Sequence, residues 1–255
     1  MRSLLSNTSR LVRRALAVGG AVLVAVIVAV AFLVVDELAK DKGPDSVAAS
    51  TVSGDINELF GQLKVGKESP MTGYDRDKFP HWDTNKPGHG FGDKFAQYSK
   101  CTTREVVLLR DATGPVTLDP KSCKFTLGTD GGWRDQYGVL DRKSGELKPY
   151  KWVTNPTSLD IDHIVPLAEV WRSGAAKLSQ DTRRDIANDA VNLVVSDPSA
   201  NRSKGDQDPA DYLPPGGFRC AYIDRYVRIK VKYNLTVDPD EQAALRTAID
   251  GCAHA

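Results

Sequence analysis

An aspartate and a histidine stand side by side in the run Leu159-Asp160-Ile161-Asp162-His163-Ile164-Val165-Pro166-Leu167. Thirty positions after Asp162, Asn192 opens a second apolar run, Leu193-Val194-Val195, which leads through Ser196-Asp197-Pro198 to Asn201-Arg202-Ser203-Lys204-Gly205-Asp206. These residue types suit hydrolysis of a phosphate ester. A carboxylate and a carboxamide oxygen are hard donors, fit for a small cation that keeps several waters. An imidazole with a pKa near 6.5 takes a proton from water at neutral pH. A nearby guanidinium or ammonium can lie against the phosphate. Asp162 and Asn201 are therefore the candidate ligands for Mg²⁺, with Mn²⁺ as a substitute. His163 is the candidate general base. Arg202, Lys204 and Asn192 complete the candidate catalytic set, Asn192 with a structural role as its plainer alternative. The chain has 4 histidines and only His163 lies in the motif, so a three-histidine zinc site is excluded.

Those side chains need elements to hold them. The first run reads as a short buried strand closed by Pro166, which cannot continue a ladder. The second reads as another strand, a turn and the start of a helix. Neighbouring residues on a strand point to opposite faces, so Asp162 and His163 share a site only if the strand end twists. Asp160 lies on the Asp162 face, either assisting a cation or standing as a surface carboxylate. Helical spacing over Pro166 to Leu178, and over Gln180 to Ala190 with Asp181 as cap, places a helical insertion between the two strands.

The Asp162-His163-Ile164-Val165-Pro166 run, with Asn192, Asn201 and the Asn201-to-Asp206 segment, resembles the HNH endonuclease superfamily, whose core is the ββα-metal unit. It is similar in particular to secreted actinobacterial HNH-family proteins related to the C-terminal domain of GmrSD-type restriction nucleases. The HNH module of RNA-guided DNA-cleaving effectors carries a similar run. The resemblance covers about residues 71–255. It implies that Asp162 and Asn201 hold the cation, that His163 activates water, and that the middle asparagine, Asn192, organises its loop, a backbone carbonyl near it fixing the His163 tautomer.

Residues 15–35 are an uninterrupted stretch of 21 apolar or small residues. At about 1.5 Å per residue it spans about 31 Å, a hydrocarbon core. Arg2, Arg10, Arg13 and Arg14 precede it and Asp36 and Glu37 follow, which places the N-terminus inside and the remainder outside. The expected order is a cytoplasmic tail over 1–14, a transmembrane helix or cleaved signal sequence over 15–35, a flexible linker over 36–70 and an exported domain over 71–255. The domain is thus either tethered to the membrane or secreted. Cys101, Cys123, Cys220 and Cys252 contain no Cys-x-x-Cys pair, and sequence-near pairing gives disulfides Cys101–Cys123 and Cys220–Cys252.

The fold class expected is α+β: the strand–strand–helix core with its helical insertion, a small antiparallel sheet before it, C-terminal helices after it and the N-terminal transmembrane helix. The sheet is assembled from Val116–Leu118, Lys124–Gly128 and the stretch after Trp133. Aromatic residues over 71–100 pack irregularly on the domain, with His81 and His89 among them. A helix over Phe218 to Tyr233 shows Tyr222, Tyr226, Ile229 and Tyr233 on a core stripe and Arg225, Arg228 and Lys232 on another. Arg225, Arg228 and Arg183 are the candidate contacts to a nucleic-acid backbone, against a plain solvated face. The net charge of +1 gives no chain-wide field for a polyanion.

The functional reading is a monomeric, exported endonuclease acting on DNA more readily than RNA, with low sequence specificity because phosphate contacts dominate. The alternatives are a non-catalytic envelope binding or scaffold module, and a hydrolase of another phosphate ester or wall polymer.

Overall fold

The structure, a computed structural model, describes residues 51–253. The tail over 1–14, the apolar stretch over 15–35 and the beginning of the linker lie outside the described residues. Among the described residues no helix is long and apolar enough to cross a membrane.

The described residues form a mixed α/β domain, and the strands among them occur only in pairs. The pair that matters most is β6 (Asp160–His163) with β7 (Leu193–Ser196), antiparallel, with Asp162 opposite Val194 and His163 opposite Leu193. Helix α3 (Leu167–Arg172) follows β6 directly, and α4 (Gln180–Asn188) completes the insertion. The helical spacing over Pro166 to Leu178 is interrupted at Gly174, as a glycine in that place implies. Its φ of 109° lies in a region a side chain would resist, and one 3₁₀ turn follows. The cap of α4 is Ser179, whose hydroxyl accepts from the Thr182 N–H, two residues before the expected Asp181.

Helix α5 (Pro198–Lys204) leaves β7 through Asp197, whose carboxylate accepts from the Ser199 N–H, with proline at the first helical position. Strand, strand and helix therefore follow in the order the sequence predicts. Upstream, α2 (Thr103–Arg110) starts with the Glu105 carboxylate accepting from the Thr102 N–H. The expected small sheet is divided into β2 (Val116–Leu118) with β3 (Phe125–Leu127), and β4 (Trp133–Arg134) with β5 (Trp152–Val153), each antiparallel.

The segment expected as linker needs a correction from Thr51 onward. Helix α1 (Ile56–Gly61) buries Ile56 in the core, with Leu59, Phe60 and Leu63 packed beside it. Strand β1 (Lys64–Val65) pairs in parallel with β8 (Thr236–Val237). The short helix that the residues from Ile56 to Val65 can form lies inside this polar segment, and burying its apolar side favours packing over tethering.

One core gathers around α6 (Arg219–Lys232), whose Tyr222, Tyr226 and Ile229 are buried as their spacing predicts. Helix α7 (Pro239–Ala253) packs against it and continues through Gly251. The second core joins α2 to the outer faces of β6 and β7 through Val106, Val107, Ile161 and Val195. Both disulfides form as expected, Cys101–Cys123 and Cys220–Cys252. Closing loops of 22 and 32 residues removes about 3–4 kcal/mol of unfolded-chain entropy each in the loop-closure description.

Candidate functional site

Strand β6 ends at His163, and the backbone beyond it is fixed by Asn192. The Asn192 carboxamide oxygen accepts from the Val165 N–H at 2.9 Å, its amino group donates to the Ile186 carbonyl, and its own carbonyl accepts from Ile164 at 2.7 Å. Asn192 is fully buried and all three groups are committed to the backbone around the end of β6, so it organises the loop.

Asp162 is nearly buried, and its Oδ2 receives two donors. The Tyr137 hydroxyl donates at 2.5 Å and the Lys204 ammonium lies at 2.9 Å. Lys204 also donates to the His163 carbonyl at 2.9 Å and has no exposed surface. Burial pushes its pKa down, the Asp162 carboxylate opposing. Lys204 was expected against a phosphate. It instead carries the counter-charge of Asp162 and ties α5 to the end of β6, because the periodicity of α5 turns it inward.

His163 is buried, and its Nε2 lies 3.0 Å from the Ala187 carbonyl. A carbonyl only accepts, so Nε2 carries the proton and Nδ1 keeps its lone pair. The tautomer is thus set from the end of α4, five residues before the carbonyl expected near Asn192. Desolvation lowers the His163 pKa to about 3, so the ring is neutral across the physiological range. Trp82 stacks on it with centroids 6.1 Å apart, and His81 meets it edge-on at 6.2 Å.

Asn201 donates from Nδ2 to Asp160 Oδ2 at 3.0 Å, which assigns its Oδ1 as the acceptor left open. Asp160 thereby orients the amide. Asp162, His163 and Asn201 line one cleft of about 300 Å³, together with Tyr74, Arg76 and Arg202. The twist at the strand end brings Asp162 and His163 to the same cleft although they are neighbours in an extended segment. Arg202 lies on the exposed rim, as does Arg76, and neither guanidinium has a side-chain partner among the described residues. Arg76, Tyr137 and the Ala187 carbonyl were not foreseen. Arg76 lies 86 residues before Asp162 in an irregular segment and Tyr137 lies 25 residues before it, so no local pattern connects them to the motif.

The three arginines expected to meet a nucleic-acid backbone are used inside the fold. Arg225 donates to the carbonyls of Val191, Ala190 and Leu193 at 2.7, 3.0 and 2.5 Å, and Arg110 reaches two of the same carbonyls from the other side. Arg228 holds Asp224, Asp55 and the Ser53 hydroxyl, docking α1 on α6. Arg183 donates to the carbonyls of Lys78 and Leu178 and lies over the Phe79 and Trp171 rings. Lys232 of the same stripe pairs with Asp189 at 2.5 Å.

Residues 103–248 match the family described as GmrSD restriction endonucleases, C-terminal domain. A protein of Arthroderma benhamiae described as an uncharacterized secreted protein is 34% identical over 212 residues, covering 82% of this chain and 88% of its own. No solved structure matches.

Proposed function

The chain belongs to the family of GmrSD restriction endonuclease C-terminal domains, and from that premise we propose that it is an exported, metal-dependent endonuclease of the HNH type. The family suggests a nuclease-like protein that meets nucleic acid. The observation carrying the finer reading is the convergence of Asp162, His163 and Asn201 on one cleft rimmed by two unpaired arginines.

In this reading His163 Nδ1 accepts the proton of the attacking water. The ring is neutral at neutral pH and the Ala187 carbonyl holds it in place, while the desolvation that lowers its pKa works against the proton transfer. Arg76 and Arg202 bind and orient the phosphate from the rim. The oxygens left open on Asp162 and Asn201 are hard donors in the same cleft, which fits Mg²⁺, with Mn²⁺ in its place. Such a cation, when bound, supplies charge stabilisation at the phosphate and at the leaving 3′ oxygen. Lys204 and Tyr137 hold the Asp162 carboxylate in place, and Asp160 aims the Asn201 amide. The roles assigned here are to the phosphate and not to a base edge, which supports low sequence specificity; DNA in preference to RNA and a single chain as the active unit complete the proposal. Two disulfides and a secreted relative support export.

The test is nicking of supercoiled plasmid by the intact protein with Mg²⁺ and with EDTA, beside structured RNA. Metal-dependent nicking should fall by at least about 100-fold in His163→Ala. A folded protein inactive with every divalent cation would move the assignment to the binding or scaffold alternative.

A further inference from the structure

A second groove of about 970 Å³ adjoins the catalytic cleft, and Arg202 lines both. One wall is the hairpin over residues 138–148; the others come from α5 and from the loop before α6. Five cationic side chains line it, Arg142, Lys143, Lys148, Arg202 and Arg219, against the carboxylates of Asp141 and Asp211. That local excess stands in a chain whose net charge is only +1. Lys148 is balanced by Asp141 at 3.4 Å, and Arg219 donates to the Pro214 carbonyl at 2.9 Å. The side chains of Arg142 and Lys143 are exposed and have no partner among the described residues. In contrast to Arg225 or Arg183, no unpaired carbonyl claims them.

The hairpin presents these charges from an ordered frame. Lys148 donates its N–H to the Val139 carbonyl at 2.8 Å and Asp141 donates to Glu146 at 2.8 Å. The Asp141 carboxylate accepts from the N–H groups of Lys143 and Ser144, which closes the turn. At its base, Asp135 Oδ2 accepts from the Gly138 N–H at 2.5 Å, and Gly138 holds φ at 80°. Leu147 packs so closely there that a Cβ on Gly138 would meet it at 2.7 Å. Leu140 remains 46% exposed beside the charges, and Tyr212 and Leu213 line the same groove. A basic rim over an apolar and aromatic floor is the arrangement that follows a sugar-phosphate chain while giving sugars and bases a surface to lie on.

We propose that this groove is the track of the polynucleotide strand flanking the scissile phosphate, with Arg142 and Lys143 of the hairpin contacting its backbone. The proposal rests on the nuclease reading and names where the chain runs beyond the cleft. It makes Arg202 the junction: one guanidinium at the phosphate under attack and at the start of the track. It also divides substrates by length, since a ligand confined to the cleft never meets the hairpin.

The experiment compares the intact protein with the Arg142→Glu/Lys143→Glu double variant on two substrates, plasmid DNA and bis(p-nitrophenyl) phosphate, a diester too small to leave the cleft. The expected result is a loss of roughly 10–100-fold in kcat/KM on plasmid at low salt, with the small diester hydrolysed within about twofold of the wild-type rate. Duplex binding, followed by fluorescence anisotropy in the His163→Ala background, should weaken by at least about 10-fold. Its log–log salt slope should shallow by up to about 2, or roughly 0.9 for each phosphate that the variant no longer neutralises. Unchanged duplex binding would overturn the proposal. So would equal losses on plasmid and small diester, which would make the hairpin a support of the cleft. If the wild type cleaves neither substrate but the double variant loses duplex binding, the nuclease reading fails while the track stands.

Discussion

Replacing Lys204 by methionine distinguishes an internal counter-charge from a phosphate ligand. Methionine keeps most of the volume of the lysine stem, so the change removes the ammonium with little cavity cost. The ammonium now contacts Asp162 Oδ2 and the His163 carbonyl, each at 2.9 Å, with no exposed surface. Without it, Asp162 is left nearly buried with the Tyr137 hydroxyl as its remaining donor and no positive neighbour in contact. Breaking a buried ion pair from one side costs about 3–5 kcal/mol. For a domain of this length each kcal/mol moves Tm by about 2–4 °C, so the expected loss is about 6–20 °C. Urea unfolding monitored by tryptophan fluorescence, with both disulfides intact, should give the same loss with m unchanged. Asp162→Asn/Lys204→Met removes both charges. It should be less destabilised than the sum of the two single variants, with a coupling of at least about 2 kcal/mol. A phosphate-binding lysine predicts the reverse pattern: near-neutral stability, additive variants and a loss only in kcat/KM. A Lys204→Met protein destabilised by less than about 1 kcal/mol, or an additive pair, would refute the counter-charge argument.

Asp160→Ala leaves the Asn201 amide without the acceptor that orients it, so nuclease activity should fall about 10–100-fold while stability changes by about 1 kcal/mol or less. Asp160→Asn keeps an acceptor oxygen and should recover most of the rate; wild-type activity in Asp160→Ala would sink the orienting role. Burial pushes the Glu241 carboxyl up to about 7 from its usual 4.5, with the Lys230 ammonium at 2.8 Å opposing. The native state therefore holds a proton that the unfolded chain releases. This contribution to stability is complete below about pH 4.5 and is lost as pH rises through about 7, on the order of 2–3 kcal/mol in all. Urea midpoints taken between about pH 5 and pH 8 should fall in the wild type and flatten in Glu241→Gln, and an unaltered slope in that variant would contradict the assignment.

The strand–strand–helix motif was legible because its members are close in sequence and strongly typed. Two short apolar runs, one ended by Pro166 and the other followed by Asp197-Pro198, are local signals for strands and a helix start, and β6, β7 and α5 appear where those signals lie. The cysteine pairing was legible for a similar reason, since short closed loops favour near partners. What sequence hid were interactions whose partners are not side chains. Arg225 sits on the stripe of α6 that periodicity makes polar, and a polar stripe reads as a solvated face. The loop over 190–193 covers that stripe, and its carbonyls require donors. Nothing in the residue types of that loop announces which carbonyls lack partners. Lys204 misled in the opposite direction, since the motif run suggests a cation at the phosphate while the turn of α5 aims it at the back of Asp162.

These errors share a cause with a consequence for the chemistry. Basic residues that the sequence offered to a substrate are recruited by the fold instead: Lys204 against Asp162, Arg225, joined by Arg110, against the carbonyls of Ala190 and Leu193, and Arg183 against the carbonyls of Lys78 and Leu178. One buried carboxylate and several otherwise unpaired carbonyls need such internal donors before any substrate arrives. The cations left for a substrate come from Arg76 in an irregular segment, from Arg142 and Lys143 at a hairpin tip, and from Arg202, whose helical position faces outward where that of Lys204 faces inward. On the proposed function, substrate affinity and domain stability reside on separate sets of basic residues, so charge reversal at the rim should weaken substrate binding with stability intact, whereas neutralising Lys204 should cost stability first.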